Sequence, residues 1–330
     1  MENNFPVSFQ DVKEASERNF GQVTRTPLLR SVELDRETGG QIYVKAECTQ
    51  LSGSFKFRGA YNRISQLSDD EKQAGVVAWS SGNHGQGVAL AAHFAGVKAT
   101  IVMPKDAPQI KIDKTKSHGA DIIFFDRRAE SREDIAKAFA AETGAVIVPS
   151  YDDPYIIAGQ GTSGYEACLQ MKELGVKPDA YIICCGGGGL TAGSALAVNH
   201  FFPDAKIYTA EPEFYDDHAK SFETGTIERV LSDAPDSLCD ALLSPAPGDM
   251  TFAINQKLVS GGLVVSDAEA LRAMRFAFEN LKIVAEPGGA VALASILSKR
   301  LDCKDKTVCV VVSGGNVDPQ LFMDCLAVTK

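Results

Sequence analysis

The chain has 330 residues, and 45% of them are hydrophobic, which is enough apolar side chain for two cores rather than one. The formal net charge is -10 and no polybasic run is present, so we expect neither a nucleic acid nor a membrane as a partner. The N-terminal segment lacks a signal-peptide pattern and no apolar run could span a bilayer, which predicts a soluble, cytoplasmic protein.

Short β-branched runs alternate with helical stretches along most of the chain. They lie at 75–79, 99–104, 120–125, 145–150, 180–185, 206–211 and 308–313. Such runs are typical of parallel strands that are buried on both faces. The alternation predicts an α/β fold built on doubly wound parallel sheets.

The clearest helix is predicted at 267–281. Ser266 and Glu269 fit a capping box at its start. The apolar stripe along it consists of Leu271, Met274, Phe278 and Leu281.

The first candidate site is SGSFKFRGAYN at 52–62, in which Lys56 lies between two phenylalanines. Burial disfavours the ammonium form and lowers the pKa of a lysine, so its free amine can form an imine with a carbonyl. An amphipathic helix start with a snorkelling lysine gives the same pattern, and the motif alone slightly favours that structural interpretation.

The second candidate site is SSGNHGQG at 80–87, which follows a predicted strand and opens a helix. Its glycines bring backbone N–H groups and a helix N-terminus together, which suits a carboxylate. An ordinary turn before a capped helix is an equally good interpretation.

The glycine run CGGGGLTAG at 185–193 is the strongest single motif. Four consecutive glycines between a strand and a helix leave backbone amides free to surround a phosphate. Gly187-x-Gly189-x-x-Ala192 also fits the dinucleotide fingerprint, with Glu211 near the spacing of a ribose-binding acid. A nicotinamide oxidoreductase is therefore an open alternative for this segment.

Two further motifs follow predicted strands. EPEFYDD at 211–217 gathers carboxylates that suit a hard divalent cation, although a solvated acidic loop has the same composition. SGGNVD at 313–318 offers the Ser313 hydroxyl to a ring nitrogen, or is simply a turn. The remaining histidines are interpreted as structural or surface residues: His93, His118, His200 and His218.

Taken together, SGSFKFRGA, SSGNHGQG, AGQGT (158–162), CGGGGL and SGGNVD occur in the order found in the fold-type II pyridoxal-phosphate family. The chain resembles the serine racemase and serine/threonine dehydratase branch of that family almost from end to end. The resemblance implies a tryptophan synthase β-like fold of two doubly wound lobes with the cofactor between them. The large domain would comprise residues 1–74 and 151–330, and the small mobile domain residues 75–150.

The resemblance implies that pyridoxal 5'-phosphate is held as a Schiff base by Lys56. The other cofactor contacts it implies are Phe55 beside the ring, Asn83 on the hydroxyl, Gly186, Gly187, Gly188, Gly189 and Leu190 on the phosphate, and Ser313 on the pyridine nitrogen. The dinucleotide interpretation then loses most of its weight.

The resemblance also assigns the catalytic and substrate-binding residues. Lys56 would take the Cα proton, and Ser81 would stand on the opposite face of the substrate, where reprotonation gives racemisation. The substrate contacts would be Ser81, Gly82, Asn83, His84 and Arg132. Arg132 matches an arginine that meets a second carboxylate, which favours 3-hydroxyaspartate as substrate. An exposed arginine paired with Glu133 or Asp134 is the alternative.

The implied function is an ammonia-lyase that removes water from a small β-hydroxy amino acid and releases a keto acid and ammonia. An L-threonine or L-serine dehydratase and a serine or aspartate racemase are the alternatives, with the oxidoreductase a remote one. The implied metal ligands are Glu211, the backbone carbonyl of Tyr215 and Asp217, binding Mg²⁺, Ca²⁺ or Mn²⁺. The family suggests a homodimer.

Overall fold

Two β-sheets, one fully parallel and one parallel except for its edge strand, and the helices packed on them make up the fold. The structure is a computed structural model that describes residues 5–80, 82–107 and 109–327. The strands are β1 (Leu28–Leu29), β2 (Gln41–Ala46), β3 (Val76–Trp79), β4 (Ala99–Pro104), β5 (Asp121–Phe125), β6 (Val146–Ile147), β7 (Ala180–Cys184), β8 (Lys206–Pro212), β9 (Gly261–Val265) and β10 (Thr307–Val312). The helices are α1 (Phe9–Asn19), α2 (Val32–Thr38), α3 (Lys56–Ile64), α4 (Asp69–Ala74), α5 (Asn83–Ala95), α6 (Gln109–Ser117), α7 (Arg132–Thr143), α8 (Pro154–Glu173), α9 (Gly189–Phe201), α10 (Asp217–Thr224), α11 (Asp249–Leu258), α12 (Asp267–Phe276), α13 (Pro287–Leu297) and α14 (Pro319–Ala327).

The larger sheet has six strands in the order β1-β2-β10-β7-β8-β9, and only β1 runs antiparallel to its neighbour. The smaller sheet has four parallel strands in the order β5-β4-β3-β6. Strands β4, β7 and most of β10 are buried, because helices cover both faces of each sheet. The predicted α/β class with parallel sheets is confirmed.

Each of the seven β-branched runs contains a strand, although the run at 145–150 forms only the two-residue strand β6. The strands β1, β2 and β9 were not predicted from the sequence. The strand β2 was missed because its run QIYVKA includes Lys45, whose ammonium is fully buried. A charged side chain in an interior strand is rare unless a partner compensates it.

The helix predicted at 267–281 begins as expected, with the Ser266 and Glu269 capping box formed. The α-helix ends at Phe276 and a π-helical turn covers Ala277–Leu281. The wider turn shifts the helical register, so Ala277 is buried while Phe278 is 42% exposed. The part of the predicted apolar stripe that includes Phe278 is therefore wrong.

All eight cysteines are free, and all but Cys48 are buried, as expected for small hydrophobic residues. Within the described ranges, none of the helices combines the length and the apolar character that crossing a membrane requires.

Candidate active site

A cavity of about 410 Å³ lies where the carboxyl ends of strands from both sheets face each other. Segments that follow β3, β7 and β10 contribute to its wall, as expected for a ligand site in an open α/β sheet. The predicted site residues that line it are Phe55, Lys56, Gly82, Asn83, His84, Arg132, Gly186, Gly187, Gly188, Gly189, Leu190 and Ser313. The fold thus brings distant motifs of the sequence into one place.

Lys56 is the first residue of α3, and its side chain points into this cavity. Burial lowers the pKa of Lys56 to about 8, so about a tenth of the amine is unprotonated at pH 7, far more than at the ordinary pKa of a lysine. Its Nζ donates a hydrogen bond of 2.8 Å to the carbonyl oxygen of Ser150 and lies 5.2 Å from the centre of the Phe55 ring. The side chain is therefore oriented as a nucleophile and is not a snorkelling surface lysine.

A buried ion-pair network supports the start of α3. Arg58, which is 1% exposed, donates to both carboxylate oxygens of the fully buried Glu47, at 2.7 and 2.8 Å. Glu166 of α8 accepts from Arg58 at 3.0 Å and also pairs with Lys45. Burial alone would raise the pKa of Glu47, but the charges of Arg58 and Lys45 hold it below the ordinary value. The network ties the helix that carries Lys56 to the larger sheet.

The glycine loop after β7 presents unpaired backbone donors to the cavity. Among the described residues, no protein acceptor receives the N–H groups of Gly187, Gly188, Gly189 or Leu190. Gly188 has a φ of +94°, a left-handed conformation that favours glycine, and it caps the N-terminus of α9. Free N–H groups at a helix N-terminus fit the charge and the oxygen atoms of a phosphate.

A second set of side chains fixes the opposite wall. Asn83 donates to the buried Glu286, and its Oδ1 accepts from Asn316 at 2.7 Å. Burial raises the pKa of Glu286 to about 7. The His84 Nε2 lies 2.9 Å from the Val148 carbonyl, and burial lowers the pKa of this histidine to about 3, so the ring is neutral. These contacts hold Asn83 and His84 in fixed orientations.

Three cationic side chains line the outer part of the cavity. Lys111 pairs with Asp240 at 2.7 Å and Arg127 pairs with Asp106 at 2.8 Å. Arg132, at the start of α7, forms no ion pair with any residue in the described part of the chain. The alternative in which Arg132 pairs with Glu133 or Asp134 is thus not what the structure shows, and this guanidinium is available to a ligand.

The acidic segment after β8 lies behind the glycine loop, outside the cavity wall. Glu211, Asp217 and His218 are buried and have potential ligand atoms within 4.8 Å of one another. Burial raises the pKa of Asp217 to about 7 and that of Glu211 well above its ordinary value. Both oxygens of Glu211 accept backbone N–H groups of His218 and Ala219, and the side chain is fully buried and does not line the cavity, where a ribose would have to lie. This arrangement disfavours the dinucleotide interpretation.

Ser81 lies outside the described residues, so its role stays a prediction. Tyr215 lies between Glu211 and Asp217 in the sequence, and its predicted contribution is a backbone carbonyl. Glu286 was not predicted as a site residue, and His218, interpreted as structural or surface, is buried beside Asp217. The adjacency of His218 to the EPEFYDD motif was the available signal.

A buried lysine with a lowered pKa lies opposite a glycine-rich helix N-terminus, at the carboxyl ends of parallel strands from two sheets, and this arrangement indicates an α/β enzyme that uses a phosphorylated carbonyl cofactor. The sequence model described as "Pyridoxal-phosphate dependent enzyme" matches residues 20–314. The chain belongs to this family of pyridoxal-phosphate-dependent enzymes.

Individual relatives are similar over nearly the whole chain. L-threo-3-hydroxyaspartate ammonia-lyase from Pseudomonas sp is 42% identical, covering 97% of this chain and 98% of the relative. L-threonine ammonia-lyase from Thermotoga maritima is 41% identical, covering 96% of this chain and 77% of the relative. The structure of maize serine racemase is 37% identical and superposes with a TM-score of 0.91, covering 97% of each chain.

Proposed function

We propose that this protein is an ammonia-lyase that removes water from a small β-hydroxy amino acid, preferably 3-hydroxyaspartate, and releases a keto acid and ammonia. The observation that carries the proposal is the cavity shared by Lys56, the glycine loop and Arg132, which has no ion-pair partner among the residues the structure describes. The similarity to a relative named L-threo-3-hydroxyaspartate ammonia-lyase supports the same substrate.

The residues present fit pyridoxal phosphate. The free N–H groups of Gly187 to Leu190 would hold the phosphate, Phe55 and Asn83 would contact the ring and its hydroxyl, and Ser313 would meet the pyridine nitrogen. When bound, the cofactor withdraws electrons from the amino acid and makes its Cα proton acidic. A hydroxyl at Ser313 does not keep a ring nitrogen protonated as a carboxylate would, which suits elimination of the β-hydroxyl.

Proton transfer in this proposal belongs to Lys56. With a pKa of about 8, its amine accepts a proton from Cα near neutral pH. The Ser150 carbonyl, 2.8 Å from Nζ, limits where the amine can swing. Ser81 is proposed as the acid on the opposite face of the substrate. Protonation of Cα from that face would give racemase activity, and the similarity to a serine racemase structure supports this possibility as a second activity.

Substrate choice is assigned to Arg132. A planar guanidinium without a protein partner can form two parallel hydrogen bonds to a second carboxylate. Threonine and serine carry no second carboxylate and would leave this charge unused. A dehydratase for threonine or serine is the alternative function, and comparing turnover of these substrates with turnover of hydroxyaspartate distinguishes the two.

A divalent cation beside the glycine loop completes the proposal. Glu211, the Tyr215 carbonyl and Asp217 would bind Mg²⁺, Ca²⁺ or Mn²⁺, because both Asp217 oxygens are buried without a hydrogen-bond partner in the described structure. We further propose that residues 75–150 form the small mobile domain, which would exclude water on closing. The homodimer and the cytoplasmic location stay predictions.

The test measures ammonia and keto-acid release from cofactor-loaded protein. Serine, threonine and the hydroxyaspartate diastereomers are supplied separately, and Lys56→Ala is compared with Lys13→Ala, which removes an exposed lysine of α1 outside the cavity. We expect Lys56→Ala to abolish release while circular dichroism shows an intact fold. Normal keto-acid release by Lys56→Ala would refute the mechanism, and the opposite enantiomer as main product would favour the racemase.

A further inference from the structure

One peptide group of the glycine loop is held from behind by a side chain. The hydroxyl of Thr251, in α11, donates a hydrogen bond of 2.7 Å to the carbonyl oxygen of Gly187. Thr251 is fully buried, and no residue of α11, a helix that the structure describes in full, lines the cavity. The carbonyl of Gly187 therefore points away from the cavity, into the interior behind the loop.

The direction of this carbonyl fixes the direction of a backbone donor. In a trans peptide group the C=O and the N–H point in opposite directions. A Gly187 carbonyl that is turned towards α11 therefore turns the N–H of Gly188 towards the cavity. That N–H meets no acceptor among the described residues, and it is one of the donors proposed to bind the cofactor phosphate.

The next donor of the loop is oriented by α9 itself. The carbonyl of Gly188 accepts from the N–H of Ala192 at 2.8 Å, the first hydrogen bond of this helix, so helix geometry directs the N–H of Gly189. Gly187 belongs to neither a strand nor a helix. Apart from the threonine hydroxyl, its carbonyl accepts, within the described ranges, only from the N–H of Gly248, at 3.3 Å. The peptide that carries the Gly188 N–H thus depends mainly on the threonine.

Thr251 is itself held in place. Its backbone N–H donates to Asp152 Oδ1 at 3.2 Å, and the N–H of Met250 donates to the same oxygen at 2.9 Å. The hydroxyl oxygen also lies 3.1 Å from the carbonyl oxygen of Gly248. A hydroxyl has only one hydrogen, and the contact with Gly187 is the shorter of the two. The start of α11 is therefore fixed in a position from which the hydroxyl reaches the loop.

We propose that Thr251 is a positioning residue for the cofactor, whose hydroxyl holds the peptide between Gly187 and Gly188 with its N–H directed at the phosphate. Thr251 can have this role only if the glycine loop binds the phosphate, as proposed above. The hydroxyl acts through the direction of one N–H and does not touch the cofactor. Its loss should weaken the binding of pyridoxal phosphate and leave the binding of pyridoxal, which lacks the phosphate, unchanged.

The first experiment titrates apoenzyme with pyridoxal phosphate and, separately, with pyridoxal, and absorbance follows attachment of each. Thr251→Val and Thr251→Ala both remove the hydroxyl, so the test does not depend on the folding of one variant. We expect each to weaken pyridoxal phosphate about tenfold, as for a lost hydrogen bond to a charged ligand, and to leave pyridoxal unchanged. Thr251→Ser should restore the affinity. Thr115→Val removes a buried hydroxyl that donates to the Lys111 carbonyl at 2.9 Å outside the cavity, and it should bind both ligands normally.

The second experiment keeps the cofactor bound and measures the phosphate directly. Phosphorus nuclear magnetic resonance of the holoenzyme reports the surroundings of the phosphate, and we expect Thr251→Val to shift the resonance and Thr251→Ser to leave it in place. Equal weakening of both ligands, or an unshifted resonance with full preference for pyridoxal phosphate, would overturn the role of Thr251 and leave the phosphate contact standing. Equal binding of the two ligands by the unsubstituted protein would overturn the phosphate contact as well, while ammonia release tests the enzyme function separately.

Discussion

Replacement of Arg132 by alanine is the sharpest test of the substrate assignment. Arg132 lines the cavity without an ion-pair partner among the described residues, so its removal leaves no buried carboxylate unpaired and the fold should be unaffected. Any kinetic change then reports on the substrate. Arg127 provides a matched comparison, because it lines the same cavity and is neutralised by Asp106 at 2.8 Å.

The magnitude follows from the kind of contact. Hydrogen bonds to charged groups contribute about 1.5–3 kcal/mol, and solvent screening places an exposed arginine at the low end of that range. Since about 1.4 kcal/mol corresponds to a factor of ten, kcat/KM for 3-hydroxyaspartate should fall about tenfold in Arg132→Ala. The value for threonine should not change, because threonine has no second carboxylate.

The assay is steady-state keto-acid release for both substrates by the unsubstituted enzyme, Arg132→Ala and Arg127→Ala. We expect the loss in Arg132→Ala to be confined to hydroxyaspartate and to exceed that in Arg127→Ala. Equal losses in the two variants would mean that only the overall positive potential matters. A loss for threonine as large as that for hydroxyaspartate would refute the assignment of Arg132 to the second carboxylate.

Three further predictions concern the cofactor site and its support. Because burial lowers the pKa of Lys56 to about 8, the rate at which the apoenzyme attaches pyridoxal phosphate should rise with pH and level off above about pH 8. Absorbance follows this rate. A rate that continues to rise towards pH 10 would contradict the lowered pKa. Gly188→Ala should weaken cofactor binding in an absorbance titration, because φ is +94° and the new methyl group meets His218. Gly175→Ala, at φ +69° with open space around it, should bind normally, and equal weakening in both would argue against the contact. Arg58→Met should lower the free energy of unfolding in urea by about 3–5 kcal/mol by stranding the buried Glu47, and a change below about 1 kcal/mol would show that the pair is not needed for stability.

Local patterns in the sequence predicted much of the fold and of the cofactor cavity. The strand β7 and the glycine loop after it are contiguous, so β-branched residues followed by glycines identify both. Lys56 could be singled out for the same reason, since its apolar neighbours adjoin it. Its contact with the Ser150 carbonyl could not, because the two residues are 94 positions apart.

Features that depend on tertiary contacts were missed or misinterpreted. Glu286 and Asn83 are separated by 203 positions, and no local pattern connects them. The burial of Lys45 depends on Glu166, which comes from a helix much later in the chain. Phe278 was misplaced because a π-helical turn changes the period on which the stripe was counted.

The strand order has a consequence for how the chain folds as it is synthesised. The four-stranded sheet uses only residues between Val76 and Ile147, so its pairings can form as soon as that segment has been translated. In the six-stranded sheet β2 pairs with β10, joining Gln41 to Thr307, and this contact must wait until nearly the whole chain has emerged. Until then, the edge of β2 that later pairs with β10 has unpaired backbone hydrogen-bonding groups. The incomplete six-stranded sheet is therefore the folding intermediate most prone to aggregation and to chaperone binding.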